Sequence, residues 1–186
     1  RRTDPRERIA LVREVVAHGL TSIDTAPLYD FGAVETLLGE ALSVFPRERV
    51  QILGKAGLRW APDARGRVLF EFTDADGVRR AVRRDSRPES LRRDVDESLQ
   101  RLRVEYLDLL QIHHRDPDTP IAESMGALLD LRREGRIRAI GVSNFTPDEI
   151  RAAQAALGDV PLASVQPEFS LLRRGAAADV VPVCRE

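Results

Sequence analysis

Short apolar runs rich in β-branched residues alternate with segments of helical period along this chain, and that alternation restricts the fold more than any other feature. The segment RERIALVREVVAHGL places Ile9, Val12, Val15 and Val16 on one helical face and offers Gly19 as a stop. It precedes the strand TSIDTA, residues 21–26. The helix AVETLLGEAL then leads to the strand RVQILGKAG, SRPESLRRDVDESLQRL to YLDLLQIHH, IAESMGALLDLRREG to RIRAIGVSNF, and PDEIRAAQAALG to LASVQPEF. Ser86 and Glu89 have the spacing of a capping box with Pro88 at the first helical position; Thr146 and Glu149 repeat the pattern, and Gly135 is placed to end its helix. Five strands separated by helices imply parallel pairing with right-handed crossovers, so the class is α/β.

Two architectures share that rhythm. A doubly wound dinucleotide fold wants a G-x-G-x-x-G turn after its first strand, and no such spacing occurs. A (β/α)8 TIM barrel wants polar or ionisable groups at the C-terminal ends of several strands, where its active site lies. The strand ends here read Asp24, Lys55, His113, Ser143 with Asn144, and Gln166. The barrel is therefore the expectation, as a single partial domain over 1–186 with about five βα units. Because a whole barrel has eight strands in about 250 residues, the reading implies one strand before Arg1 and two after Glu186. Residues 58–85 are too long for an ordinary βα connection. RVLFEF, TDADG and VRRAV read as a hairpin inserted at the mouth of the barrel.

The chain has 42% apolar and 32% charged residues, enough for a sizeable core. A net charge of -1, with arginines interleaved among 30 acidic residues, argues against nucleic acid as a partner. No apolar run is long enough for a membrane span, no signal-peptide pattern is visible, and the one cysteine, Cys184, cannot form an internal disulfide. The compartment expected is the cytoplasm.

Among 29 Lys and Arg residues, only position 55 is lysine. A lysine inside a barrel mouth is a compact, partly desolvated charge, whereas arginine stays charged and presents a planar fork. Asp24, on the preceding strand end, is its natural counter-ion. Tyr29 follows in the connecting loop, and an ammonium beside a phenol favours the phenolate, which makes tyrosine a usable proton donor near neutral pH. His113, at the next strand end, can hydrogen-bond the same oxygen. By strand alternation, its neighbour His114 points to the opposite face.

IDTAPLYDFGAVETLLGEAL, ILGKAG, RDSRPESLRRDVDESLQRLRVEYLDLLQIHH, IRAIGVSNF and SVQPEFSLL resemble the aldo-keto reductase superfamily, from about residue 7 onwards. The resemblance implies reduction of a small-molecule carbonyl by direct hydride transfer from NADPH, with NADH as the alternative, and without metal. It makes Asp24, Tyr29, Lys55 and His113 the catalytic set, with Tyr29 the proton donor. Ser143, Asn144 and Gln166 match the family's nicotinamide-carboxamide partners, and Asp24 also faces the cofactor. Trp60, Phe31 and His114 are candidate substrate contacts. In the family a glycine often follows the tyrosine; here Asp30 stands there, with Gly32 two further on, which implies a small change in loop shape. The resemblance puts the adenosine-phosphate contacts on later strands, so the choice between NADPH and NADH stays open. Two other readings keep the barrel: Lys55 as a Schiff-base nucleophile of an aldolase, or a non-catalytic nucleotide-binding sensor or regulatory subunit.

Overall fold

The structure, a computed structural model, describes residues 4–74 and 76–186. Its centre is a curled sheet of β1 (Ser22–Asp24), β2 (Gln51–Ala56), β6 (Leu107–Ile112), β7 (Ile137–Ser143) and β8 (Leu162–Gln166), in the order β1-β2-β6-β7-β8 and parallel throughout. The helices α1 (Pro5–Ala17), α2 (Ala33–Leu42), α3 (Pro88–Leu102), α4 (Ile121–Arg133), α5 (Pro147–Leu157) and α6 (Gly175–Val183) pack each against the next along its outside. The result is an incomplete (β/α)8 barrel. Ile52, Leu110, Ile112, Ile140 and Val142 alternate toward the helices, where they meet Leu91, Met125, Leu128 and Leu131 in one core. The residues between them face the barrel interior, and there Lys55, Gln111, Gly141 and Ser164 share one row of the sheet.

Local chemistry sets the boundaries. Asp4 caps α1 by accepting from Arg6 N at 2.9 Å, and Gly19 (φ 93) closes it. Leu20 N donates to Val15 O and Gly19 N to Val16 O, which satisfies the last carbonyls in a Schellman turn. Gly135 (φ 74) does the same for α4. The Thr146–Glu149 capping box of α5 forms as expected. The box expected at Ser86 does not: the N-cap of α3 is Arg87, without a side-chain bond. Ser86 is 1% exposed and committed elsewhere, its N–H donating to Asp116 and its carbonyl accepting from Ser124. Glu89 instead pairs with Arg87.

The segment after β2 is more than a hairpin. Gly57 (φ 89) turns the chain out of the barrel, and β3 (Leu58–Arg59), β4 (Val68–Thr73) and β5 (Arg79–Arg84) form an antiparallel sheet in the order β3-β5-β4. A two-residue strand carries too little alternation to be read from sequence. Of the TDADG turn, Ala75 lies outside the described residues, while Gly77 N donates to Asp74 O at 3.1 Å. Asp94, buried on α3, anchors the departure point by accepting from Gly57 N at 2.8 Å and Arg59 Nη1 at 2.5 Å.

At the opposite end of the strands, Asp108 accepts from Arg47 and from Ile52 N, and Arg47 and Arg138 sandwich the Tyr106 ring at 4.0 and 3.8 Å. These contacts serve stability. The helices α2 and α3 meet closely at Gly39, where an added Cβ would sit 2.4 Å from Arg101 O and 2.8 Å from the Leu102 carbonyl carbon. Because backbone cannot swing aside, Gly39→Ala is expected to destabilise the fold by about 1–3 kcal/mol, read as a lower denaturant midpoint with an unchanged slope.

Candidate active site

Each side chain singled out in the sequence lies at or just beyond the C-terminal edge of the parallel sheet. Asp24 ends β1, Lys55 is next to last in β2, His113 follows β6, Ser143 ends β7 and Gln166 ends β8. Tyr29 begins the turn Tyr29–Gly32. In that turn Asp30 (φ 49) and Phe31 (φ 51) both take the left-handed conformation ahead of Gly32 (φ 91). The loop thus keeps a glycine-like path although position 30 carries a side chain.

Lys55 is the pivot. It is 2% exposed, and its Nζ reaches Asp24 Oδ1 at 2.5 Å, Tyr29 OH at 3.4 Å and the Thr25 carbonyl at 3.4 Å. A buried ammonium is tolerable only with such partners. Tyr29, 36% exposed, keeps its hydroxyl on Lys55 while its ring meets His113 edge-on, with centroids 6.1 Å apart. One cation thus joins a carboxylate to a phenol, and an imidazole closes the other side.

Burial holds the His113 imidazole down from near 6.5 to about 4, with the Lys55 charge and then His114 adding to the effect. His113 is therefore neutral at physiological pH. Since the folded state resists its protonation, stability is complete above about pH 6.5. It falls as the pH drops toward 4, by up to about 3 kcal/mol from this group. A proton NMR titration of the His113 ring checks this: an inflection near pH 4 is expected, and one near 6.5 contradicts it.

His114 departs from the expectation of an opposite face. The strand ends at Ile112, so alternation does not carry through, and the two imidazoles stack with centroids 5.4 Å apart and planes 23° from parallel. Burial, and after it the Arg84 guanidinium, disfavours the imidazolium of His114.

Ser143, Asn144 and Gln166 form a second group. Ser143 Oγ donates to Gln166 O at 2.8 Å, and Asn144 N donates to the same carbonyl at 3.2 Å. Asn144, left-handed at φ 57, turns its Nδ2 onto His113 O at 2.9 Å, Ser143 Oγ at 3.0 Å and His114 Nε2 at 3.3 Å. That leaves the Asn144 side-chain oxygen and the exposed Gln166 carboxamide without protein partners among the described residues, a donor and acceptor pair that fits an amide ligand.

Phe31 and Trp60 meet each other with ring centroids 5.3 Å apart, and Phe31 stacks on Phe72 at 4.4 Å. Phe72, from β4, was not singled out in the sequence. Its signal is the alternation in RVLFEF, which sets Phe70 and Phe72 on one face.

A model of the Aldo/keto reductase family matches residues 1–186. The chain is 36% identical over 171 residues to the NADH-specific methylglyoxal reductase of Escherichia coli (strain K12), covering 90% of this chain and 49% of that protein. It is 37% identical over 178 residues to a probable aldo-keto reductase 1 of Glycine max, with 96% and 46% covered. Among solved structures, the glycerol dehydrogenase of Gluconobacter oxydans superposes with a TM-score of 0.84 at 35% identity, covering 100% of this chain and 52% of that one. An aldo-keto reductase from Klebsiella pneumoniae in complex with NADPH gives 0.74 at 28% identity, with 97% and 54% covered. The chain spans about half the length of the curated relatives it matches. With the family model matched over residues 1–186 and the half-barrel shared with a solved structure at 35% identity, the chain belongs to the aldo/keto reductase family.

Proposed function

We propose that this chain provides the proton-donating site of an NADPH-dependent carbonyl reductase, one that interconverts aldehydes or ketones and alcohols in the cytoplasm. The observation that carries this reading is the buried Lys55 ammonium in contact with both Asp24 and the Tyr29 hydroxyl. When bound, the reduced nicotinamide supplies the hydride. Asn144 and Gln166, with Ser143 behind them, would hold its carboxamide. As hydride arrives, negative charge grows on the carbonyl oxygen, and a preorganised donor aimed there lowers the barrier. Tyr29 gives its proton to that oxygen, Lys55 stabilises the phenolate left behind, and Asp24 fixes the lysine. Neutral His113 offers a ring N–H to the same oxygen and orients the carbonyl without adding charge.

An ammonium held at 2.5 Å by a carboxylate is a poor nucleophile, which weighs against Lys55 as a Schiff-base former. The cofactor of choice is NADPH, with NADH as the alternative, since one relative is named NADH-specific and one neighbour was solved with NADPH. The test is oxidation of each reduced nucleotide by the full-length protein against a panel of aldehydes and ketones. Turnover with at least one pair is expected, and none with any pair would refute the proposal.

A further inference from the structure

One cation on the inserted sheet has no ion-pair or side-chain hydrogen-bond partner among the described residues. On β5, Arg79 pairs with Glu71, Arg80 with Asp74 at 2.5 Å, and Arg83 Nη1 donates to Gly66 O at 2.9 Å. Next along, Arg87 binds Asp85 and Glu89, and Arg59 binds Asp94 and Glu97. Arg84, the last residue of β5, makes no ion pair or side-chain hydrogen bond among the described residues, and its Nε is buried without an acceptor. Its nearest carboxylate in sequence, Asp85, is already taken by Arg87 and by Arg65 N. A buried guanidinium donor left unmet is a debt that a ligand can settle.

The register shows which way Arg84 faces. It pairs with Leu58, and Val82, two residues earlier, pairs with Phe70, so the pleat puts Arg84 on the face of the small sheet that also bears Phe70 and Phe72. Phe72 and Trp60 close on Phe31, two residues from Tyr29. Leu58, the register partner of Arg84, follows Lys55 by three residues, and burial and then the Arg84 charge disfavour the imidazolium of His114, which stacks on His113. Tyr29 meets His113 and His113 meets His114, while Arg84 is tied to the same strand end through Leu58, three residues after Lys55.

We propose that Arg84 is a specificity-determining residue that receives a carboxylate on the substrate, whose carbonyl lies at Tyr29 and whose apolar body rests on Phe31, Trp60 and Phe72. This rests on the carbonyl-reductase reading and names its substrate class, a carbonyl compound with a distal carboxylate. The planar fork of Arg84 suits a carboxylate bidentately, and an aromatic wall beside it suits an aryl or other flat apolar body.

Two aldehydes differing only in the charge test it in the full-length protein: benzaldehyde and 4-carboxybenzaldehyde. Arg84→Ala is expected to lower kcat/KM for the carboxylated aldehyde by about ten-fold or more, through KM. Benzaldehyde should change by less than about two-fold, which also shows that the variant folds. Arg84→Lys should fall between, because it keeps the charge and loses the fork. Calorimetric titration with benzoate is expected to show the same ranking of the three proteins. Equal losses for both aldehydes, no loss for either, or no benzoate binding by the parent would overturn the assignment while leaving carbonyl reduction intact. If the whole aldehyde and ketone panel goes unreduced but benzoate binds in an Arg84-dependent way, carbonyl reduction fails and the anion subsite stands.

Discussion

Tyr29→Phe is expected to lower kcat for aldehyde reduction by about 100- to 10,000-fold while KM for the nucleotide stays near its parent value. The phenylalanine ring fills the same space against His113, so the change deletes one hydroxyl, the group 3.4 Å from Lys55 Nζ. Water can protonate the developing alkoxide in its place, but without a fixed position or a neighbouring cation. Steady-state kinetics with both reduced nucleotides measure the effect. A loss confined to KM would mean that the hydroxyl binds substrate and leaves protonation to another group.

The second large effect is at Lys55. Arginine supplies charge, yet its fork is longer and planar, and the pocket around Nζ is bounded by Asp24 at 2.5 Å and the Thr25 carbonyl at 3.4 Å. Lys55→Arg is expected to cost about 100-fold in kcat, because the guanidinium displaces the phenol from its place. Lys55→Met removes the charge and should cost at least as much in rate. Its effect on stability stays below the roughly 3–5 kcal/mol of a fully buried broken pair, since the Asp24 side chain is 37% exposed and can be solvated. Together the variants separate charge from shape: recovery of activity in Lys55→Arg alone would show that charge suffices. Near-parental turnover in both would remove Lys55 from the mechanism.

The parts of this site readable in the sequence are those that topology alone positions. In a parallel barrel the ends of successive strands converge whatever the loops do, so Asp24, Lys55 and His113 could be brought together from periodicity and spacing. Ser143 and Gln166 came out adjacent for the same reason, their strands being register partners. Where a tertiary contact decides, the sequence was a poor guide. Ser86 has the composition of a helix cap, but burial between Asp116 and Ser124 claims its backbone and moves the cap to Arg87. His114 obeys alternation only if the strand continues, and it stops at Ile112. The role of Gly57 as a pivot, the third strand at Leu58, the Phe31–Phe72 stack and the isolation of Arg84 all depend on how the inserted sheet folds back. No local pattern encodes that.

The most direct measurement of the central claim follows one atom. The full-length protein is supplied with an aldehyde and with reduced nicotinamide nucleotide carrying deuterium at both C4 positions, and the alcohol is analysed for label. Direct hydride transfer at the site of Tyr29, Lys55, Asp24 and His113 predicts one deuterium on the carbinol carbon of the product, and loss of product formation in Tyr29→Phe. Alcohol without label, or labelled alcohol formed equally fast by Tyr29→Phe, would contradict it.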